Sequence, residues 1–178
     1  MKIIGFAGST SSKSINKKLV QYTLNQIENE SVEKELIDLN NFKCPIFNVD
    51  EEENGYPENA KLFIDKLSEA DGFVVSMAEH NGSYPAEVKN LFDWCSRIEV
   101  GFFKEKAMFL MSSSPGGYGG GNVLEAAKKQ LPKFKADITE TFKLPSFNEN
   151  FSIQTGIKDN ELSQAHKQSL KSFLANIE

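Results

Sequence analysis

Ile3-Ile4-Gly5-Phe6-Ala7-Gly8-Ser9-Thr10-Ser11-Ser12-Lys13-Ser14-Ile15-Asn16 is the stretch that decides the fold. A short apolar run ends in glycine, five hydroxyl side chains follow within six positions, and a helix-period segment begins at once. Strand, tight loop and helix start, in that order, make the opening unit of a chain that alternates the two elements. Such a loop gathers backbone N–H groups, hydroxyl donors and the positive end of a helix dipole around one point, which suits a phosphate dianion. The same serines would also serve as plain helix caps. The stretch by itself leaves both readings open.

The alternation continues along the chain. Ile15, Leu19, Thr23 and Ile27 recur every four residues beside Val20 and Leu24, which predicts one buried helix face. Glu35 to Asn40 predicts a second strand. Asn41 to Glu58, acidic from Asp50 to Glu53 and marked by Asn54-Gly55 and Pro57, predicts an exposed loop. Ala60, Phe63, Ile64 and Leu67 form a helical stripe, and Phe73-Val74-Val75-Ser76-Met77 is the continuous apolar run of a central parallel strand. Pro85 opens a helix facing inward through Val88, Leu91, Phe92 and Cys95, and Ala107 to Met111 is a further buried strand. Leu124, Ala127 and Leu131 mark the next helix, Asp137 to Leu144 an edge strand, and Leu162, Ala165, Leu170, Phe173, Leu174 and Ile177 a terminal helix. The expectation is an α/β fold: a doubly wound, five-stranded parallel sheet with helices on both faces, forming a single domain over residues 1–178.

Composition narrows the function. The 178 residues carry a net charge of −5, and their basic side chains are dispersed, so no nucleic-acid partner is expected. No apolar run approaches the roughly 18 residues needed to cross a bilayer, and the first residues enter a strand directly. No membrane association and a cytoplasmic location are therefore expected. Cys44 and Cys95 are expected as reduced thiols, and neither they nor His80 and His166 have metal-ligand spacing, so no metal is expected.

In doubly wound sheets ligands bind beyond the carboxyl ends of the strands. Three loops leave such ends: Gly8 to Ser14, Ala78 to Tyr84, and Ser112 to Gly121, all rich in Gly, Ser and Asn. The first lacks both the G-x-G-x-x-G dinucleotide fingerprint and the G-x-x-x-x-G-K-[ST] signature, which leaves a mononucleotide as the better fit.

These residues resemble the NAD(P)H-dependent FMN reductase family of flavodoxin-like proteins, which includes quinone and chromate reductases. Gly8-Ser9 through Ser14-Ile15-Asn16 with Leu19 is similar to its G-S-x-R-x-x-S-x-N-x-x-L phosphate loop. Asn48 to Pro57 resembles its acidic loop. Glu79-His80-Asn81-Gly82-Ser83 with Pro85, Lys89-Asn90 and Asp93-Trp94 resembles its long second motif, P-E-Y-N-G-S-x-P-x-x-L-K-N-x-x-D-W. Ser113-Ser114-Pro115-Gly116-Gly117 with Gly119-Gly120 resembles its third, Gly-rich flavin loop. Three positions depart from the pattern: Ser11 stands where the family has Arg, and Ala78 and His80 stand where it has Pro and Tyr.

The resemblance implies bound FMN, NADPH or NADH as electron donor, a quinone-like or other small electron acceptor, and a homodimer or homotetramer. It implies that Ser9, Ser11, Ser14, Ile15 and Asn16 hold the ribityl phosphate. Glu79, His80, Asn81, Gly82 and Ser83 then line the isoalloxazine, with Ser113, Ser114, Gly116 and Gly117 on its other side. Because the cofactor carries the chemistry, no catalytic acid or base is assigned. His80 is either a donor to a bound quinone or a solvated loop histidine. Lys89 and Asp93 are expected as structural ion-pairing or capping groups and Trp94 as a packing residue or dimer contact. The alternative function is a flavodoxin-type electron carrier without NAD(P)H activity.

Overall fold

The computed structural model describes residues 1–177. Strands β1 (Lys2–Gly8), β2 (Glu33–Ile37), β3 (Gly72–Met77), β4 (Ala107–Ser113) and β5 (Asp137–Leu144) form one parallel sheet in the order β2-β1-β3-β4-β5. The alternation predicts the doubly wound parallel sheet, and the observed strand order is the flavodoxin-like one that the family resemblance implies. Helices α1 (Ile15–Asn25), α2 (Val49–Glu53), α3 (Glu58–Ser68), α4 (Ala86–Ile98), α5 (Gly121–Gln130), α6 (Phe147–Asn150) and α7 (Asn160–Ala175) connect or follow the strands. A small antiparallel hairpin, β6 (Phe151–Ser152) with β7 (Gly156–Ile157), precedes α7.

Successive strand residues serve opposite faces, so each strand feeds two cores. Ile4, Phe6, Phe73, Val75, Met108 and Leu110 pack with α3, α4 and α5. Ile3, Val74, Phe109 and Met111 pack with α1 and α7. Helix α1 lies so close to β1 that a Cβ on Gly5 would sit 2.7 Å from Val20 Cγ1 and 2.8 Å from Leu24 Cδ1. Glycine at this position sets the height of the helix above the sheet, and with it the position of the loop that joins them.

Three expectations change. The second strand, expected over Glu35 to Asn40, is Glu33–Ile37, and Leu39–Phe42 form a 3-10 turn whose Asn40 N–H the Asp38 side chain caps. The stretch from Asn41 to Glu58 is not simply a loop: it holds α2, where the Asn48 side chain accepts from Glu51 N at 2.8 Å and the acidic residues crowd the first turn. Capping and dipole complementarity form a helix there without any buried residue. In α7 the buried residue is His166 rather than Ala165, giving the stripe Leu162, His166, Leu170 and Phe173.

His166 is fully buried among the rings of Tyr22, Phe109 and Phe142. Thr23 Oγ1 donates to Leu19 O at 2.9 Å, so the contact of 2.8 Å from Thr23 Oγ1 to His166 Nε2 has the imidazole as donor. That leaves Nδ1 buried without a partner among the described residues. Burial, reinforced by the neighbouring Lys167 charge, pushes the imidazole pKa down from 6.5 to about 4. Between those values the unfolded chain binds a proton that the folded chain refuses, so stability falls with decreasing pH across that window, by about 3 kcal/mol in full. Urea unfolding of the native chain and of His166→Leu at pH 7, 5.5 and 4.5 is expected to show a steeper loss in the native chain. Parallel losses in both would place the acid sensitivity elsewhere.

Candidate flavin site

The first loop leaves β1 and enters α1 through a series of serine turns. Ser9 Oγ accepts from Ser11 N at 3.3 Å, Ser11 Oγ from Lys13 N at 3.2 Å, and Ser14 Oγ caps α1 by accepting from Lys17 N at 3.1 Å. Each oxygen is used as an acceptor, which leaves three hydroxyl hydrogens free to donate. Among the described residues, the backbone N–H groups of Thr10, Ser12, Ile15 and Asn16 meet no protein acceptor. The last two belong to the open first turn of α1. Lys13, exposed in the loop, adds a cation with no carboxylate partner among the described residues. Unspent donors and one free cation on a single turn of chain match a phosphate monoester, whose oxygens are all acceptors.

Asn16 departs from its expected part. Its side chain is only 2% exposed and binds within the protein: Oδ1 accepts from Ser76 Oγ at 2.7 Å and from Ser113 N at 3.0 Å, and Nδ2 donates to Ser113 O at 3.1 Å. What it presents toward a ligand is its backbone N–H.

The second loop, from Ala78 to Pro85, folds as a tight hairpin turn. His80 N donates to Ser83 O and Ser83 N to His80 O, at 3.0 and 3.1 Å, around Asn81 and Gly82, which both have positive φ (51° and 78°). Asn-Gly suits that turn because these two residues enter the left-handed region at little cost. His80, Asn81, Gly82 and Ser83 are exposed. Glu79 is not free to line a ligand with its carboxylate: Oε2 accepts from Val123 N at 3.0 Å and Oε1 from Asn122 Nδ2 at 3.2 Å. It thereby caps α5, whose own N-cap is Gly120 and offers no side chain.

In the third loop, Gly116 and Gly117 are exposed, and a Cβ added at Gly117 would meet nothing within 4 Å. The loop therefore offers bare backbone. Ser114 is half-buried and donates to Gly116 O at 3.2 Å. Ser113, expected beside the ring, is 1% exposed, with its hydroxyl donating to Leu144 O at 2.8 Å and its backbone paired to Asn16. Strand β4 is still paired at Ser113, so this residue belongs to the sheet rather than to the loop.

Other polar contacts here escape the sequence reading. Ser76 and Ser112 are fully buried: the first is a hydroxyl within an otherwise apolar central strand, and the second, expected to open the third loop, still belongs to β4. Thr10 Oγ1 donates to Glu87 Oε1 at 2.8 Å, tying the first loop to α4. The carboxyl of Glu87 is held below its usual range by its own backbone N–H and then by the Thr10 hydroxyl. Beside this contact lies a cavity of about 270 Å3 lined by Leu39, Phe42, Lys43, Ile46 and Leu91. Lys143 stands 4.3 Å from the centroid of the exposed Tyr118 ring in the third loop. Lys89 pairs with Asp93 one helical turn on at 2.6 Å, and Trp94 is buried in the core.

Residues 1–148 match the sequence profile of the NADPH-dependent FMN reductases. The chain is 34% identical over 125 residues to the NAD(P)H:quinone oxidoreductase of Solanum tuberosum, a match covering 68% of this chain and 62% of that enzyme. It is 29% identical over 121 residues to the quinone reductase of Escherichia coli, covering 67% and 63%. The chain thus spans less than two thirds of the length of these curated relatives. The solved FerB flavoenzyme NAD(P)H:(acceptor) oxidoreductase from Paracoccus denitrificans superposes with a TM-score of 0.77 at 21% identity over 99% of this chain and 96% of that one, a likeness of fold. The family profile spans all three loops, and the chain belongs to the NADPH-dependent FMN reductase family.

Proposed function

We propose that this chain is an FMN-dependent oxidoreductase that takes reducing equivalents from NADPH or NADH and passes them to a quinone-like or other small acceptor. The observation that carries the reading is the set of unspent donors in the first loop, three serine hydroxyls and four backbone N–H groups ending at the start of α1. Ser9, Ser11, Ser14 and the N–H groups of Ile15 and Asn16 hold the ribityl phosphate. His80 to Ser83 and Ser114 to Gly117 border the ring from the second and third loops. When bound, FMN supplies hydride acceptance at N5 and its return to a second substrate.

The protein's part is orientation. Bare backbone at Gly116 and Gly117 lets a flat ligand approach closely, and the Asn81-Gly82 turn brings a second run of main chain to the same edge of the sheet. His80, exposed and, among the described residues, hydrogen-bonded through its backbone alone, is a donor within the second loop for an acceptor carbonyl. The homodimer or homotetramer implied by the resemblance belongs to the same reading; the exposed Ile46, Val49, Tyr56 and Leu62 fall in one stretch of chain available to cover.

Donor and acceptor that stack on the same ring face exclude one another, so the two half-reactions separate and parallel double-reciprocal lines are expected. The purified protein is expected to be yellow, to bleach on anaerobic addition of NADPH or NADH, and to recolour with a benzoquinone. Bleaching by dithionite but by neither dinucleotide would favour the electron carrier. A colourless protein that takes up no added FMN would reject both.

A further inference from the structure

We propose that the Asn16 side chain, together with Glu79, is a positioning device that ties the three loops into one body, and that Asn16 is not a side-chain ligand of the phosphate. The inference rests on the flavin reading above.

The hydrogen bonds of the two side chains carry it. Pairing between β3 and β4 runs to Met77 and Ser112 and then ends, because the chain beyond Met77 turns away into the second loop. Ser113, one residue further, would have lost its partner on that side. The Asn16 carboxamide takes the vacant place, binding both Ser113 N and Ser113 O as a neighbouring strand would, across 97 residues of sequence. Ser76 Oγ, from β3, anchors the same amide oxygen at 2.7 Å. Both acceptor positions of the carboxamide and one of its N–H groups are thus committed. One side chain near the start of α1 therefore fixes the point at which the third loop begins.

Glu79 fixes the point at which that loop ends. Its carboxylate, carried by the second loop, holds Val123 N and the Asn122 side chain in the first turn of α5. Ser114 to Tyr118 span the interval between the two ties with their glycines exposed. The first loop is thus linked to the start of the third, and the second loop to its end. A ligand that touches phosphate loop and ring loops meets distances that these two side chains set. A single polar contact with the phosphate could not do this.

Titration of the flavin-free chain and its variants with FMN and riboflavin separates the two roles. Asn16→Ala is expected to raise the dissociation constants of both flavins by a common factor of about ten, leaving their ratio unchanged. Ser76→Ala, which leaves the first loop intact, is expected to weaken both by a smaller common factor. In the flavin-free protein, hydrogen exchange at the Ser113 amide is expected to quicken in Asn16→Ala, a readout that needs no flavin at all. Loss of FMN affinity with riboflavin affinity unchanged would make Asn16 a phosphate ligand and overturn the proposal. Unchanged affinity for both flavins in Ser76→Ala and Asn16→Ala would overturn it as well. If Asn16→Ala does not fold, Ser76→Ala decides by the same comparison. A native chain that binds neither flavin would instead overturn the underlying flavin reading, before any variant is made.

Discussion

Riboflavin is expected to bind this chain about a thousandfold more weakly than FMN. The two ligands differ only in the phosphate, so the comparison isolates the first loop. That loop brings three hydroxyl hydrogens, four unpartnered N–H groups and the Lys13 cation to one turn of chain at the positive end of α1. A hydrogen bond to a charged group contributes about 1.5–3 kcal/mol, and a helix N-terminus adds a fraction of that. Ser11, Ser12 and Lys13 are exposed, so water competes for part of the site, and the full sum is not realised. Two or three effective contacts, about 4 kcal/mol, give the thousandfold ratio. Fluorescence titration with each flavin measures it directly. A ratio below about ten would mean that the loop holds no phosphate, and that its serines only cap the helix.

What the sequence made legible and what it did not follow from the range of the interactions involved. The fold was legible because its signals are local: the apolar runs of β1, β3 and β4 and the three-four spacing on α1, α3 and α4 each report burial within a few residues. The first loop was legible for the same reason, since Gly8, the serines and the start of α1 are contiguous. Asn16 was legible as a member of the motif but not in its part. Nothing within sixty residues of it announces a contact with Ser76, and Ser113 lies further still. Glu79 behaves likewise: its neighbours form an exposed turn, whereas its carboxylate serves a helix that begins more than forty residues later. His166 was missed on α7 because hydropathy ranks Ala165 as the core residue. The ring pocket of Tyr22, Phe109 and Phe142, drawn from three separate elements, selects the imidazole instead.

The largest loss of stability from a single truncation near the site is expected at Trp94. Its side chain is fully buried on α4 and meets Phe47 edge to face, with ring centroids 5.0 Å apart and planes at 86°. Its Nε1 donates to Pro45 O at 2.8 Å. One turn earlier, Asn90 accepts from Phe47 N at 2.8 Å and donates to Cys44 O and Pro45 O at 3.3 and 2.8 Å. Asn90 and Trp94 together hold the segment 44–47, which lines the cavity beside Thr10 and leads into α2. Trp94→Ala removes the ring and opens a cavity, a change that costs about 3–5 kcal/mol, a large share of the roughly 5–15 kcal/mol that stabilises a typical domain. Trp94→Phe keeps most of the apolar volume. Because Pro45 O retains its bond from Asn90, losing the indole N–H should cost only about 1–2 kcal/mol. Chemical denaturation of the two variants tests this partition, and limited proteolysis between residues 44 and 57 should be faster in Trp94→Ala than in the native chain. Equal losses in the two variants would mean that the hydrogen bond to Pro45, rather than the packing of the ring, anchors the segment to α4.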